Sequence, residues 1–160
     1  MVGGTLDRGG VILTCPQCGR ANRVRYDALD KTTRCGQYKT ELQPPQAPIE
    51  AGDSAAFDAA AAGSVLPLVV DFWAPWCGPC RMVAPELERV ARAMAGRYLV
   101  VKVNTDVLAD LGQRFRIMSI PTMTVVYRGR EIARTSGARP AADIQAFIEQ
   151  AVAAEQRRAS

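Results

Sequence analysis

Two cysteines, Cys77 and Cys80, lie where a continuous apolar run gives way to a helical pattern, in the stretch WCGPC. Two thiols at this spacing can exchange with a foreign disulfide, because one sulfur forms a mixed disulfide and the other then resolves it. A helix N-terminus supports this chemistry, since its unpaired N–H groups and dipole stabilise a thiolate over a thiol. We therefore predict that Cys77, at the helix start, is the exposed nucleophile and that Cys80 lies deeper.

The residues around this pair help to decide whether it serves redox chemistry or metal binding. Gly78 permits a sharp turn and Pro79 suits the first turn of a helix, so both sulfurs stay within bridging distance. The same spacing also occurs in zinc sites, which need two further thiolates or imidazoles nearby. Residues 81–160 contain neither cysteine nor histidine. We interpret the pair as a redox dithiol and not as half of a zinc site.

An alternation of strand and helix patterns positions the pair. After residue 49 the predicted order is helix, strand, helix, strand, helix, strand, strand, helix. The first helix has Asp53 or Ser54 as its cap and ends at Gly63. The run SVLPLVVDFWA is predicted to be a strand buried on both faces, and a turn at 128–130 joins the last two strands. The order predicts an α/β protein whose sheet is covered on both faces and has an antiparallel hairpin at one side.

The motif and this order of elements resemble the thioredoxin family over residues 50–155, since WCGPC is the active-site sequence of that family. The resemblance implies the thioredoxin fold, a central mixed sheet with helices on both faces. It also implies a protein-disulfide reductase that needs no cofactor for catalysis. Its partners would be disulfide-containing protein substrates and thioredoxin reductase, which supplies electrons from NADPH. We expect a monomer.

The resemblance assigns roles to three further residues. Asp71 matches the buried carboxylate that assists proton transfer at Cys80, and a buried carboxyl group has the raised pKa that this role requires. An alternative is that Asp71 only forms hydrogen bonds in the core. Lys102 matches the lysine close to that carboxylate, although a solvated lysine at a strand end is also consistent with its position. Pro121 matches the cis proline that faces the two cysteines.

The family binds its substrate peptide as an added strand along the backbone near this proline. The substrate-binding residues that the resemblance implies surround Cys77, and they are Trp76, Gly78, Pro79, Ile120 and Gly137, with Trp73 and Pro75 in the same apolar rim.

The chain before the predicted domain is different in composition. Residues 1–43 are polar and form a module too small to bury an adequate core alone, so it requires either a metal or contact with the rest of the chain. Residues 44–49 form a stiff, proline-rich linker. The predicted domains are therefore a zinc-ribbon-like module at 1–43, the linker, and a thioredoxin domain at 50–155.

The module contains a cysteine pattern that lacks one member. Cys15 and Cys18 have C-x2-C spacing, and Cys35 opens a second pair whose partner position holds Tyr38. The pattern resembles bacterial thioredoxins of the second type, in which a zinc ribbon with two C-x2-C pairs precedes the thioredoxin domain. A phenol is a poorer zinc ligand than a thiolate in such a site, because its pKa is higher and its oxygen is hard.

Three states of this module remain open from the sequence. The first is a weakened structural zinc site, in which water or a carboxylate of Asp27, Asp30 or Glu41 completes the three cysteine ligands. The second is a folded ribbon without metal. The third is an accessory dithiol in which Cys15 and Cys18 cycle as a disulfide.

The composition limits the other classes of function. The chain has 160 residues, a net charge of +4 and no histidine, which excludes histidine-based dyads and mixed Cys/His metal sites. This net charge is too small to indicate the dense basic face of a nucleic-acid-binding protein. No apolar run approaches the ~18 residues of a membrane span, and no signal peptide is evident. We expect a cytoplasmic protein that binds neither nucleic acid nor membrane, and whose five cysteines serve redox or metal chemistry.

Three other functions compete with disulfide reduction. A disulfide oxidase or isomerase of an oxidising compartment could use the same fold, but the Gly-Pro filling between the cysteines and the missing signal peptide count against it. The second is a binding module in which the larger domain is the scaffold. The third is a metal-linked redox sensor that uses the N-terminal cysteines.

Overall fold

The computed structural model of the chain describes residues 3–159, so the first two residues of the predicted N-terminal module lie outside it. The chain forms ten strands, four α-helices and a 3-10 helix at Tyr26–Ala28 within these residues. The strands are β1 Thr5–Leu6, β2 Gly10–Thr14, β3 Ala21–Arg25, β4 Thr33–Arg34, β5 Glu41–Leu42, β6 Ile49–Glu50, β7 Leu68–Trp73, β8 Leu99–Asn104, β9 Thr122–Tyr127 and β10 Arg130–Ser136. The α-helices are α1 Ser54–Gly63, α2 Gly78–Ala93, α3 Ala109–Arg114 and α4 Ala141–Ala159.

A five-stranded mixed sheet organises the larger part of the chain. Its strand order is β10-β9-β7-β8-β6, with β6 and β7 parallel to β8 and with β9 antiparallel to both β7 and β10. One face packs on α1 and α3 through Phe57 and Leu111, and the other packs on α2 and α4 through Leu87 and Ile148. The predicted α/β sheet with helices on both faces is confirmed.

Local sequence signals fix the ends of several elements. Asp53 caps α1, because its Oδ1 accepts a hydrogen bond from the backbone N–H of Ala56 at 2.7 Å, and Gly63 ends the helix. The β9–β10 hairpin turns through Arg128 and Gly129, with φ of 54° and 79°. Positive φ at both central residues is the geometry of a tight two-residue hairpin. The predicted cap, stop and hairpin are therefore all present.

Helix α4 is amphipathic, with one apolar face packed against the sheet. Ile144, Ile148 and Val152 form its buried stripe, and charged residues occupy its other faces. Neither α4 nor any other helix between residues 3 and 159 is sufficiently long and apolar to cross a membrane.

The N-terminal module is held by contact with the domain. It contains a three-stranded antiparallel sheet, β1-β2-β3, and the β4–β5 pair. Its buried residues, including Leu13 and Leu42, belong to the same continuous apolar core as Phe57. Tyr26 adds polar contacts, since its hydroxyl donates to the Asp7 carbonyl at 2.6 Å and its own carbonyl accepts from the N–H of Val65 at 3.0 Å. Of the two sources of stability expected for so small a module, contact with the rest of the chain is therefore present.

The proline-rich segment leads directly into the central sheet. We expected the linker to extend to residue 49, whereas β6 begins at Ile49, which is buried and pairs with Val101 of β8. The difference arises because an edge strand of two residues has too little periodicity to be recognised after a run of prolines.

Candidate active site

Cys77 and Cys80 occupy the junction of β7 and α2 and are joined in a disulfide, with a Cα–Cα distance of 5.3 Å. Cys77 is the N-cap of α2, in an extended conformation with φ −85° and ψ 113°. Its Sγ accepts a hydrogen bond from the backbone N–H of Cys80 at 3.2 Å. A backbone donor of the first helical turn therefore points at this sulfur, which is the arrangement that stabilises a thiolate after reduction.

The predicted difference in depth between the two cysteines is wrong for the disulfide form. Both residues are only 4% exposed. Cys77 is covered because its Sγ lies 3.7 Å from the carbonyl oxygen of Ile120, on the loop that faces the helix start. The helical pattern places Cys80 correctly on the buried stripe of α2, but it carries no information about a loop more than forty residues later in the sequence.

That loop has the backbone geometry implied by the family resemblance. The peptide bond between Ile120 and Pro121 is cis. The Pro121 carbonyl accepts a hydrogen bond from the N–H of Gly137 at 2.9 Å, which ties the loop to the end of β10. Gly137 has a φ of +93°, a conformation that residues with a Cβ rarely adopt. The structure thus brings Ile120, Pro121 and Gly137 together beside Cys77.

An exposed aromatic and an open groove adjoin the disulfide. Trp76 is 68% exposed, and its Nε1 donates a hydrogen bond to Asp106 at 3.1 Å. A groove of about 820 Å³ extends from Trp76 and Ile120 along α3 toward Arg116 and Met118. Asp106 was not predicted, because only the tertiary fold brings it to Trp76. The site can therefore receive an extended chain segment across its apolar rim.

Asp71 lies in the middle of β7 and is 1% exposed. Within residues 3–159 neither of its carboxylate oxygens accepts a hydrogen bond. Burial raises the pKa of Asp71 to about 7, while Lys102 lowers it and Glu50 raises it further. A carboxyl group that gains and loses its proton near neutral pH can act as a general acid or base.

The neighbours of Asp71 form a row across the sheet. Lys102 of β8 is aligned with Asp71 of β7 on one side and with Glu50 of β6 on the other. The Lys102 Nζ lies 4.2 Å from the centre of the Trp73 ring, and Trp73 Nε1 donates to Glu50 at 3.2 Å. The register therefore places Lys102 beside Asp71, and its side chain packs over the Trp73 ring. Sequence reasoning missed Glu50, because its only signal is a strand register that the sequence does not reveal.

The three N-terminal cysteines form a second cluster, with all sulfurs within 4.8 Å of one another. Two turns of matching geometry present them: the N–H of Gly19 donates to the Cys15 carbonyl and the N–H of Lys39 donates to the Cys35 carbonyl, each at 2.9 Å. Gly19 and Lys39 have φ of 75° and 60°. Backbone N–H groups of Tyr38 and then Gln37 lower the pKa of the Cys35 thiol to about 6. The two turns therefore bring the three cysteine sulfurs together at one site.

The cluster fits three of the four positions of a zinc ribbon. Tyr38 stands at the fourth position but is 55% exposed, so its ring is not packed among the sulfurs. In the part of the chain that the structure describes, no carboxylate joins the three thiols, so Asp27, Asp30 and Glu41 are not ligands in this arrangement. A short contact of 3.6 Å joins Cys18 Sγ to Cys35 Sγ, which links the two turns.

Comparisons with known proteins agree with this geometry. The sequence model of the family described as Thioredoxin matches residues 49–150. Thioredoxin C-3 of Corynebacterium nephridii is 35% identical over 147 residues, which cover 91% of this chain and 99% of that protein, so the similarity reaches into the N-terminal module. The thioredoxin of Haemophilus influenzae is 39% identical over 98 residues, covering 61% of this chain and 92% of its own length.

A solved structure shares both fold and sequence with the larger domain. The crystal structure of chloroplastic thioredoxin z superimposes with a TM-score of 0.61 at 38% identity, covering 67% of this chain and 96% of that chain. The fold predicted for the domain is therefore confirmed.

Proposed function

The chain belongs to the thioredoxin family of thiol–disulfide oxidoreductases, and we propose that it reduces disulfides in cytosolic proteins with electrons that a thioredoxin reductase supplies from NADPH. The single observation that carries the proposal is the Cys77–Cys80 disulfide at the N-terminus of α2, beside an open apolar groove.

The proposed cycle starts from the reduced dithiol. The Cys77 thiolate attacks one sulfur of the substrate disulfide, which forms a mixed disulfide and releases the first substrate thiolate. Cys80 then gives its proton to Asp71 and attacks Cys77 Sγ, which releases the second substrate thiolate and leaves the Cys77–Cys80 disulfide. Two electrons and two protons from the reductase system restore the dithiol. No cofactor takes part in these steps.

The remaining site residues position the reactants in this proposal. The backbone at Ile120 and Pro121 pairs with the extended substrate segment, and Trp76 with Gly137 forms the apolar rim around the sulfur. Gly78 and Pro79 shape the turn that separates the two cysteines. Lys102 adjusts the charge near Asp71 without contacting the sulfurs. We propose that the larger domain, which begins with β6 at Ile49 and extends to residue 155, carries this chemistry alone, with 44–48 as linker and 1–43 as an accessory module.

An NADPH-coupled assay tests the proposal. The chain, a bacterial thioredoxin reductase and a protein disulfide such as insulin are combined, and NADPH oxidation is followed by absorbance. We expect turnover that depends on both the chain and the reductase, because the disulfide lies at the edge of an accessible groove. A chain that is reduced chemically but not by the reductase would contradict the proposed partner, and a reduced chain that leaves insulin intact would contradict the proposed activity.

The three-cysteine cluster supports a second candidate function, zinc binding. Cys15, Cys18 and Cys35 would hold the ion through thiolates, and a non-protein ligand would fill the fourth position. When bound, zinc would cross-link the two turns of the module. Because the module already shares the core of the domain, we propose that it folds without metal and that the site binds zinc weakly.

Tyr38→Cys provides a direct test of the missing ligand. Zinc-finger sites bind with about 12 kcal/mol over four ligands, so a restored thiolate is expected to tighten zinc binding by at least about a hundredfold. Zinc affinity is measured by chelator competition under reducing conditions. All proteins carry Cys77→Ser and Cys80→Ser, so that the active-site thiols do not bind the ion.

Tyr38→Ser is the matched control, since it removes the phenol without adding a thiol. We expect it to bind zinc as weakly as the natural sequence does. Equal zinc affinity in the natural sequence and in Tyr38→Cys would show that the fourth position does not limit binding, and would overturn this account of the cluster.

A further inference from the structure

Glu50 brings a second carboxylate into the row of side chains that contains Asp71. Strand β8 lies between β6 and β7, and its Lys102 is aligned with Glu50 on one neighbour and with Asp71 on the other. Side chains aligned across adjacent strands emerge on the same face of a sheet. One lysine is therefore flanked by two acids: Asp71 is buried, whereas Glu50 is exposed on the edge strand and has no role in the steps proposed above.

Trp73 fixes the positions of both Glu50 and Lys102. Its indole N–H donates to Glu50 Oε2 at 3.2 Å, and the face of its ring lies 4.2 Å from the Lys102 ammonium. The first contact stabilises the Glu50 carboxylate and the second attracts the cation. Burial raises the pKa of Glu50, whereas Trp73 and Lys102 act in the opposite direction and favour its ionised form. Lys102 is thus held over the Trp73 ring.

Asp71 is left without a direct polar partner on its own side of the row. No residue in the described range 3–159 donates a hydrogen bond to either of its oxygens. The charged groups that act on it are Lys102 and Glu50. Its neighbour on β9 is Met123, and the sulfur of Cys80 on α2 is bonded to Cys77 in the disulfide.

We propose that Glu50 is a positioning residue for proton transfer at Asp71: with Trp73 it keeps the Lys102 ammonium from pairing with the Asp71 carboxyl, which therefore stays free to exchange a proton with Cys80. The proposal rests on the proposed function, in which Asp71 accepts the Cys80 proton. An ion pair between Lys102 and Asp71 would stabilise the carboxylate and make it a weaker base. The negative charge of Glu50 opposes this, both by attracting Lys102 and by acting on Asp71 directly.

The test compares Glu50→Gln with Glu50→Ala in the full-length oxidised chain. Glutamine keeps an oxygen that accepts the Trp73 hydrogen bond but removes the charge, while alanine removes both. The titration of the Asp71 carboxyl carbon is followed by 13C NMR, and Asp71→Asn identifies its signal. The oxidised chain is used because its disulfide does not titrate. Glu88→Gln, an exposed substitution on α2, controls for the loss of one negative charge.

We expect the Asp71 titration midpoint to fall by about one pH unit in Glu50→Gln and at least as far in Glu50→Ala. Glu88→Gln is expected to titrate like the natural sequence. An unchanged midpoint in Glu50→Gln would overturn the proposal, and a shift confined to Glu50→Ala would do so as well, since it would reveal only a mechanical support for Trp73. The NADPH-coupled assay of the natural sequence is scored separately, so failure of the proposed function is distinguished from failure of this inference.

Discussion

Replacing Cys77 with serine will reduce NADPH-coupled disulfide reduction at least about a thousandfold, as expected when a nucleophile is removed. The reason is that a serine hydroxyl does not ionise near neutral pH and cannot attack a disulfide in place of the thiolate that the start of α2 stabilises. The rate is measured with saturating reductase, so that only the exchange with substrate is limiting. Val65→Ser, an exposed substitution outside the site, is the control and should retain full activity.

Cys80→Ser should fail in a different way. Cys77 remains able to form the mixed disulfide, but no second thiol is present to resolve it. The variant should therefore accumulate one covalently attached substrate chain, detected by non-reducing electrophoresis and mass spectrometry. If Cys80→Ser turned over as fast as the natural sequence, or if Cys77→Ser trapped the substrate, the assigned order of attack would be wrong.

Asp71→Asn is expected to stabilise the folded chain at pH 8, although it lies in the active site. The pKa of Asp71 is about 7 in the folded chain, above its ordinary value of 3.8. Between these two values the folded state binds more protons than the unfolded state, so the free energy of unfolding falls as the pH rises. At pH 8 the buried carboxylate is ionised, and this ionisation lowers the free energy of unfolding by about 2–4 kcal/mol. Asparagine is neutral at every pH, so the variant does not lose this stability.

The measurement is urea unfolding of both proteins from pH 4 to pH 8. The stability difference should be small at pH 4, grow through pH 5 to 7 and level off above pH 7. Asp30→Asn, which removes one exposed carboxylate, controls for overall charge. A difference that did not depend on pH would contradict the raised pKa of Asp71.

The same substitution should slow the resolution of the mixed disulfide at neutral pH. Loss of a general base typically reduces a rate by about a hundredfold or more. A slower resolution step in a variant that is at least as stable as the natural sequence indicates a chemical role for Asp71, because loss of folding cannot account for the lower rate. Stopped-flow tryptophan fluorescence follows the step, since Trp76 adjoins the disulfide.

Much of the fold could be predicted from the sequence because it depends on local signals. The Asp53 cap, the stop at Gly63 and the turn at Arg128 and Gly129 each act within a few residues. The apolar run of β7 also indicates a strand buried on both faces without any knowledge of its neighbours. These features, with the WCGPC motif, suffice to locate the redox pair at a strand–helix junction.

The features that were missed depend on distant parts of the chain. The burial of Cys77 depends on the carbonyl of Ile120, and the acid beside Lys102 becomes evident only when the register of β6 is known. The hydrogen bond from Trp76 to Asp106 likewise joins two loops. No spacing in the sequence encodes such pairings, so the environment that adjusts the pKa of Asp71 had to come from the structure.

The equilibrium reduction potential of the Cys77–Cys80 pair tests the central claim most directly, and it is measured against glutathione by thiol trapping in the Cys15→Ser/Cys18→Ser/Cys35→Ser variant and in the natural sequence. A disulfide reductase requires a dithiol that gives up its electrons readily, so we predict a value of about −270 mV. A value of about −120 to −180 mV would mark the pair as an oxidant or isomerase and would contradict the proposed direction of electron flow.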